Sequence, residues 1–175
     1  LEWLAEISGL SVDWQELPGG YVNISTQRGY TVDEIRDLLN RLLLARGFTI
    51  LKKDEFLIVC KCEALTAGLV PRIVPEELAD RLPHEYVRVM FTLDWMLADD
   101  VVKELEPLLS TNGKFYPLTA TNRIEAMDAV VNLRHVFQLL TEEQSFEEGR
   151  PRLVQEFVLE HARAEDVREE LEAFV

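Results

Sequence analysis

The sequence predicts an α+β protein made of small tandem domains, each with two helices packed on a two- to three-stranded mixed sheet. Two observations carry that prediction. Apolar residues alternate between helical and strand spacing along the chain, with no long stretch of one type. In addition, one strand-and-helix pattern occurs twice, 66 residues apart.

The elements follow in order. Trp3, Leu4, Ile7 and Leu10 fall on one side of an opening helix, and Gly9 is its stop. Ser11 to Glu16 alternates, which puts Val12 and Trp14 on one face of a short strand. Pro18-Gly19-Gly20 turns the chain, and Tyr21 to Thr26 reads as a second strand. Thr31 and Glu34 then form a capping box, in which each side chain satisfies an orphan amide of the helix start. Ile35, Leu38, Leu39, Leu42 and Leu43 give that helix a wide apolar stripe, and Gly47 ends it. Phe48–Leu51 and Phe56–Val59 flank the polar tip Lys52-Lys53-Asp54-Glu55, the pattern of a hairpin. These elements make a first domain over residues 1–61.

Residues 62–84 read as a Pro-containing linker, with Leu65, Leu69, Val70 and Ile73 packing along a domain surface and a helical turn or two at Val74–Ala79. A second domain over residues 85–145 begins with a strand from Tyr86 to Leu93. The helix Ala98–Leu109 carries Asp99 and Asp100 in its first turn, where the helix dipole favours anions. Pro107 shortens it. Phe115–Thr119 and Ile124–Met127 pair across Thr121-Asn122, and a last helix from Val130 to about Glu143 buries Leu133, Val136, Phe137 and Leu140. The repeat then matters most. Phe91, Leu93, Ala98, Asp100, Val101, Glu104, Leu105 and Glu106 recur as Phe157, Leu159, Ala164, Asp166, Val167, Glu170, Leu171 and Glu172. Residues 150–175 therefore read as a partial third repeat, one strand plus one helix. Repeats of this kind bury their faces on neighbours, which is the habit of serial or assembled architectures.

Composition narrows function. The chain has 18 Lys and Arg against 32 Asp and Glu, a net charge of -14. Residues 1–61 carry 7 basic and 9 acidic side chains, and residues 62–175 carry 11 and 23, so the acidity lies in the second part. Affinity for a phosphate backbone comes from clustered cations, so nucleic acid is not an expected partner. No apolar run approaches the roughly 20 residues that span a bilayer, so any membrane contact is expected only through a parent protein. The chain opens on Leu1 without a signal-peptide pattern and reads as a mature chain or an excised piece.

No motif points to catalysis or a cofactor. Cys60 and Cys62 are two apart on one face of a strand, awkward for an intrachain disulfide and too few for a zinc site. His84, His135 and His161 are isolated and read as surface or satisfied histidines. Neither phosphate-loop nor nucleophile-elbow spacing occurs. The pairs Asp99-Asp100 and Glu165-Asp166 could be taken for paired catalytic carboxylates, but their recurrence at equivalent helix starts favours the dipole reading. Glu142, Glu143, Glu147 and Glu148 read as a solvated hinge rather than a divalent-ion site. Three aromatics stand out as possible interface residues: Trp95, just past a strand end, Phe146 at the junction, and Phe157 in the third copy.

The stretch Leu4–Val59 is similar to the first N-terminal domain of the secretins, which resembles the signalling domain of TonB-dependent receptors. The residues carrying this are Gly20-Tyr-Val-Asn-Ile-Ser, Tyr30-Thr-Val-Asp-Glu-Ile, Leu42-Leu-Leu-Ala-Arg-Gly-Phe and Phe56-Leu-Ile-Val. The stretch Val87–Leu140 resembles the second, repeated secretin N-domain through Phe91-Thr-Leu, Ala98-Asp-Asp-Val, Leu105-Glu-Pro-Leu-Leu-Ser, Thr121-Asn-Arg-Ile, Asp128 and Asn132-Leu. The resemblance implies a non-enzymatic module of a type II secretion or type IV pilus secretin. It further implies a periplasmic location in the cell envelope and protein partners, either copies of itself in a ring or other secretion components. The channel-forming region of that family is absent from this sequence. The order strand-helix-strand-strand-helix is also that of a KH domain, which would make the alternative a single-stranded nucleic-acid-binding protein. The GXXG loop that a KH domain needs is missing.

Overall fold

Helix α1 (Glu2–Ser8) stops where Gly9 turns left-handed at φ +65°, and strand β1 (Ser11–Trp14) follows. The computed structural model describes residues 2–14, 16–19 and 27–148 (side chains within 3–145), and the expected strand at Tyr21–Thr26 and the third repeat at 150–175 lie outside them. The chain divides into two compact units, 1–144 and 145–175.

Helix α2 (Val32–Leu44) starts on the expected capping box: Thr31 Oγ1 accepts the Glu34 amide at 3.2 Å, and Glu34 Oε2 accepts the Thr31 amide at 2.8 Å. Gly47, at φ +77°, ends the turn that leads into β2 (Phe48–Lys53). A two-residue turn with Asp54 at φ 53° then reverses the chain into β3 (Phe56–Lys61). The strand order is β1-β3-β2, with β1 parallel and β2 antiparallel to β3. Leu57 and Val59 face the helices, where they meet Leu4, Phe48 and Ile50 and, from α2, Ile35, Leu39 and Leu43. On α1 only Leu4 is buried. Trp3 and Ile7 are exposed, because a seven-residue helix on the rim of a three-stranded sheet can cover it with little more than one side chain.

Residues 62–84 do more than join. Cys62–Ala64 and Pro75–Asp80 form 3₁₀ turns, and between them β4 (Arg72–Ile73) pairs parallel to β5 (Tyr86–Thr92). Leu65, Val70, Ile73 and Leu78 are buried, whereas Leu69 is exposed. Cys62 opens a turn instead of ending a strand, so it and Cys60 do not share a strand face. The second sheet thus has four strands, β4-β5-β7-β6, one more than expected. Two residues between prolines show no periodicity, yet the Arg88 amide donates to the Pro71 carbonyl at 2.8 Å and fixes the added strand.

Helix α3 (Ala98–Leu105) tightens into a 3₁₀ turn at Glu106–Leu108, where Pro107 cannot continue the α-helical bonding. Strands β6 (Lys114–Leu118) and β7 (Arg123–Ala129) form the expected hairpin, and α4 (Val130–Glu148) completes the order. Val87, Val89, Phe91, Ile124 and Ala126 alternate onto the helix-facing side of this sheet, against Val101, Leu105, Val130, Leu133, Val136 and Leu140. Arg134 on α4 gathers the carbonyls of Leu78 (2.8 Å), Ala79 (3.1 Å) and Arg81 (2.7 Å), tying down the end of the Pro75–Asp80 turn.

The two sheets meet through a third apolar cluster of Leu51, Cys62, Leu65, Val70, Tyr86 and Met127. Hydrogen bonds run alongside it. The Tyr86 hydroxyl donates to the Asn112 carbonyl at 2.6 Å, and the Asn112 side chain donates to the Leu44 carbonyl at 2.8 Å. Buried Asn40 accepts the Ile50 amide at 2.8 Å and the Thr49 hydroxyl at 3.0 Å, and donates to the His84 carbonyl. Among the described residues, no helix is long and apolar enough to cross a membrane.

Candidate protein-interaction surfaces

Several of the polar side chains that a reaction could use are committed to structure. His84 Nδ1 lies 2.8 Å from Asp37 Oδ2, and the His84 backbone amide donates to Asp37 Oδ1 at 2.7 Å, so this imidazole sits in the junction between α2 and β5. His135 is exposed on α4. The hydroxyl of Ser110 donates to Asp128 Oδ1 at 2.7 Å, and among the described residues no imidazole bonds to either. Asp99 and Asp100 are exposed at the start of α3, and Asp100 pairs with Lys103 at 3.1 Å. Burial, then the charges of Cys60 and Asp128, push the Cys62 thiol up to about 12, and burial also raises Cys60, so neither is a nucleophile near neutral pH. Among the described residues, no group of three or more His, Cys, Asp or Glu could hold a metal ion.

What the surface offers instead is apolar area in fixed positions. The loop between β5 and α3 points Trp95 (47% exposed) and Leu97 (66% exposed) outward, while Leu93 is buried and Met96 packs against the core. This loop owes its shape to Asn122, which stands at φ 47° in the β6–β7 connection. The Asn122 side chain donates to the carbonyls of Leu93 (3.1 Å) and Met96 (2.9 Å) and accepts the Ala98 amide at 3.2 Å. Its carbonyl accepts the Leu93 amide at 3.1 Å, and Gln144 donates to the Thr92 carbonyl at 3.0 Å. Trp95 and Leu97 are therefore presented by a loop already ordered, so a partner would not bear that entropy cost.

Trp95 is thus the one expected interface residue that the described side chains include. Phe146 falls within α4 but its side chain lies outside the described ones, as does the whole of Phe157. Sequence reasoning missed Leu97 and Asn122. Leu97 carried no signal apart from its place beside Trp95. Asn122 did carry one, as an asparagine in a short connection, the residue type most tolerant of a left-handed backbone after glycine.

A groove of about 470 Å³ opens on the first sheet, where Trp14, Ile58, Leu65 and Leu69 line its apolar part and the ion pair Lys61–Glu16 (2.8 Å) closes one side. A second, of about 490 Å³, runs between α3 and β6 past Val102, Leu109 and Phe115.

No family model and no curated protein matches the chain. Solved structures do. Over 99% of its length the chain superposes with a TM-score of 0.69 and 15% identity on a chain of the Klebsiella pneumoniae type II secretion system outer membrane complex, which comprises PulD, PulS and the PulC HR domain. An S210C dimer mutant of the N-terminal domain of the secretin XcpQ from Pseudomonas aeruginosa matches over 81% of the chain, with a TM-score of 0.32 and 12% identity. The GspC–GspD complex of enterotoxigenic Escherichia coli matches over 82%, with a TM-score of 0.33 and 14% identity. The chain spans 58% of the XcpQ fragment and 29% of the Klebsiella chain. The XcpQ neighbour is the N-terminal domain of a secretin and the other two are type II secretion system complexes, and the superposition on the Klebsiella complex shows a shared α+β fold, as the resemblance in the residues leads one to expect.

Proposed function

We propose that this chain is a non-enzymatic protein-interaction module of a secretin-like cell-envelope protein, working in the periplasm in protein secretion or pilus biogenesis. Its partners are protein: neighbouring copies in a ring, or other components of the envelope machinery. The observation that carries the reading is the fold shared with the Klebsiella complex along 99% of the chain. The Klebsiella and Escherichia coli neighbours were both solved with partner proteins bound.

The surface supports the same reading. Trp95 and Leu97 form an exposed apolar ridge on a loop held by Asn122, the combination of large area and low ordering cost that interface anchors share. A standard interface buries about 800 Å² per partner. That is a small fraction of the 12493 Å² of accessible surface, so several such contacts fit on one copy.

Size-exclusion chromatography with light scattering on the full-length protein tests this. A multimer that Trp95→Asp dissociates supports ring assembly through this loop. A protein that stays strictly monomeric at high concentration contradicts it.

A further inference from the structure

Among the described residues, the second sheet buries one face under α3 and α4, and its other face is only half covered. Tyr86 and Met127 belong to the cluster joining the two sheets. Beyond them, strand register sets Arg72 beside Arg88, Met90 and Tyr116 on either side of Glu125, and Arg123 beside Leu118, all on the side away from the helices. With Lys114, which pairs with Met127, this face holds four basic side chains and one acidic one, on a chain of net charge -14.

Two of the cations are committed. Arg88 Nη1 pairs with Glu125 at 3.3 Å, and Lys114 donates to the carbonyls of Cys62 and Glu63 at 3.5 and 3.4 Å. The other two are open. Arg72 donates to the Met90 sulfur at 3.5 Å, and among the described residues neither Arg72 nor Arg123, both exposed, makes an ion pair. Arg72 lies level with Arg88, and Arg123 level with Thr92, two strands away. At about 3.3 Å per residue and 4.8 Å per strand their backbones are about 16 Å apart. Met90 and Glu125 lie between them, and Tyr116 and Leu118, both exposed, stand on β6 just beyond Arg123.

We propose that this face docks an acidic amphipathic segment of a partner protein, with carboxylates on Arg72 and Arg123 and apolar side chains along Met90, Tyr116 and Leu118. A separation of about 16 Å is about three turns of helix, within reach of one short segment. Docking is onto the face and not by strand addition at β6, because Pro117 in that edge strand lacks an amide proton. Nucleic acid fits less well. Glu125 sits among the cations, a single tyrosine offers stacking, and the net charge repels a polyanion. This inference rests on the reading of the chain as a protein-docking module, on a face distinct from the Trp95 loop.

Fluorescence anisotropy tests it, using a fluorescein-labelled amphipathic peptide of glutamate and leucine at helical spacing. The expected result is binding that weakens with added salt, weakens about tenfold in the double variant Arg72→Glu with Arg123→Glu, and is absent for the lysine counterpart of the peptide. Both arginines are exposed, and Arg72→Gln with Arg123→Gln gives the same reading if the reversals disturb folding. Peptide binding unchanged by either double variant overturns the proposal. So does tighter binding of single-stranded oligothymidylate. Loss of self-association of the full-length protein in the double variant would assign the face to a second copy, and also overturns it. Persistence of that self-association leaves the assembly reading intact, so the two readings fail separately.

Discussion

The side-chain oxygen of Asn122 accepts the backbone amide of Ala98 at 3.2 Å, so α3 is capped from a hairpin turn 24 residues away. The residue at the usual capping position, Leu97, has no oxygen to offer and instead points its side chain into solvent. Replacing Asn122 removes the cap and two bonds to the Trp95 loop. Asn122→Ala also forces a left-handed backbone on a residue that resists it, and should cost about 3 kcal/mol. Asn122→Gly relieves the backbone and should cost about 1 kcal/mol less. Urea denaturation measures both, and amide hydrogen exchange should speed up at residues 93–98 in each.

Gly113 marks a place where backbone must come close. A Cβ there would lie 2.7 Å from Asp128 Oδ2 and 2.7 Å from Leu109 Cβ. Asp128 cannot yield, since its carboxylate accepts the Ser110 amide (2.6 Å) and hydroxyl (2.7 Å), the Ala129 amide (2.7 Å) and the Asn132 side chain (2.9 Å). Gly113→Ala should therefore destabilise by about 2 kcal/mol, read from the thermal midpoint. Asp128→Asn keeps the size but turns an NH₂ toward donors, and should cost at least as much.

Asn40 does for the first sheet what Asp128 does for the second. Asn40→Ala strands the Ile50 amide and the His84 carbonyl in a buried place, and about 3 kcal/mol should be lost in urea denaturation. Asn40→Asp keeps the acceptor for Ile50 but loses the donor to His84, and should fall between Asn40→Ala and the parent.

Alkaline pH should loosen the joint between the sheets. Burial, then the charges of Asp128 and Cys62, raise the Tyr86 hydroxyl, and burial lifts the Cys62 thiol to about 12 from an ordinary 9.0. In both cases the neutral, protonated form is the one buried. Below about pH 9 folded and unfolded chains hold these protons alike, so stability is flat with respect to them. From pH 9 toward 12 the unfolded chain releases protons that the folded one keeps, and stability falls as pH rises. Urea midpoints at pH 8 and pH 10 should show the decline, and Cys62→Ala should flatten it. At pH 8 a thiol reagent should react with Cys60 and Cys62 slowly until the chain is denatured.

Much of this molecule could be read directly where local rules agree. The capping box at Thr31 and Glu34, the stop at Gly47, the two hairpins and the effect of Pro107 all follow from a few neighbouring residues. Strand β4 could not be read, because two residues hold no period and their pairing with β5 is set by contacts across the fold. The exposure of Trp3 and Ile7 was hidden for a related reason, since periodicity says which residues share a face but not whether a sheet is wide enough to cover it. At the candidate site the aromatic itself was visible as Trp95. The support beneath it was not, because Asn122 reaches the loop only through the β6–β7 connection, and Asp128 shows its four hydrogen bonds only once α4 and Ser110 are placed. On the open face of the second sheet, Arg72 and Arg123 are 51 positions apart in sequence and come to share one face only through strand order.

Trp95 is one of three tryptophans in the chain, so changing Trp3 and Trp14 to phenylalanine leaves it as the sole reporter. Acrylamide quenching of that signal, compared between the dilute chain and the concentrated, self-associated chain, asks whether the loop held by Asn122 is a place where proteins meet. The account predicts a blue-shifted emission and markedly weaker quenching in the assembled protein. Equal quenching in both would show Trp95 still facing water, and would contradict it.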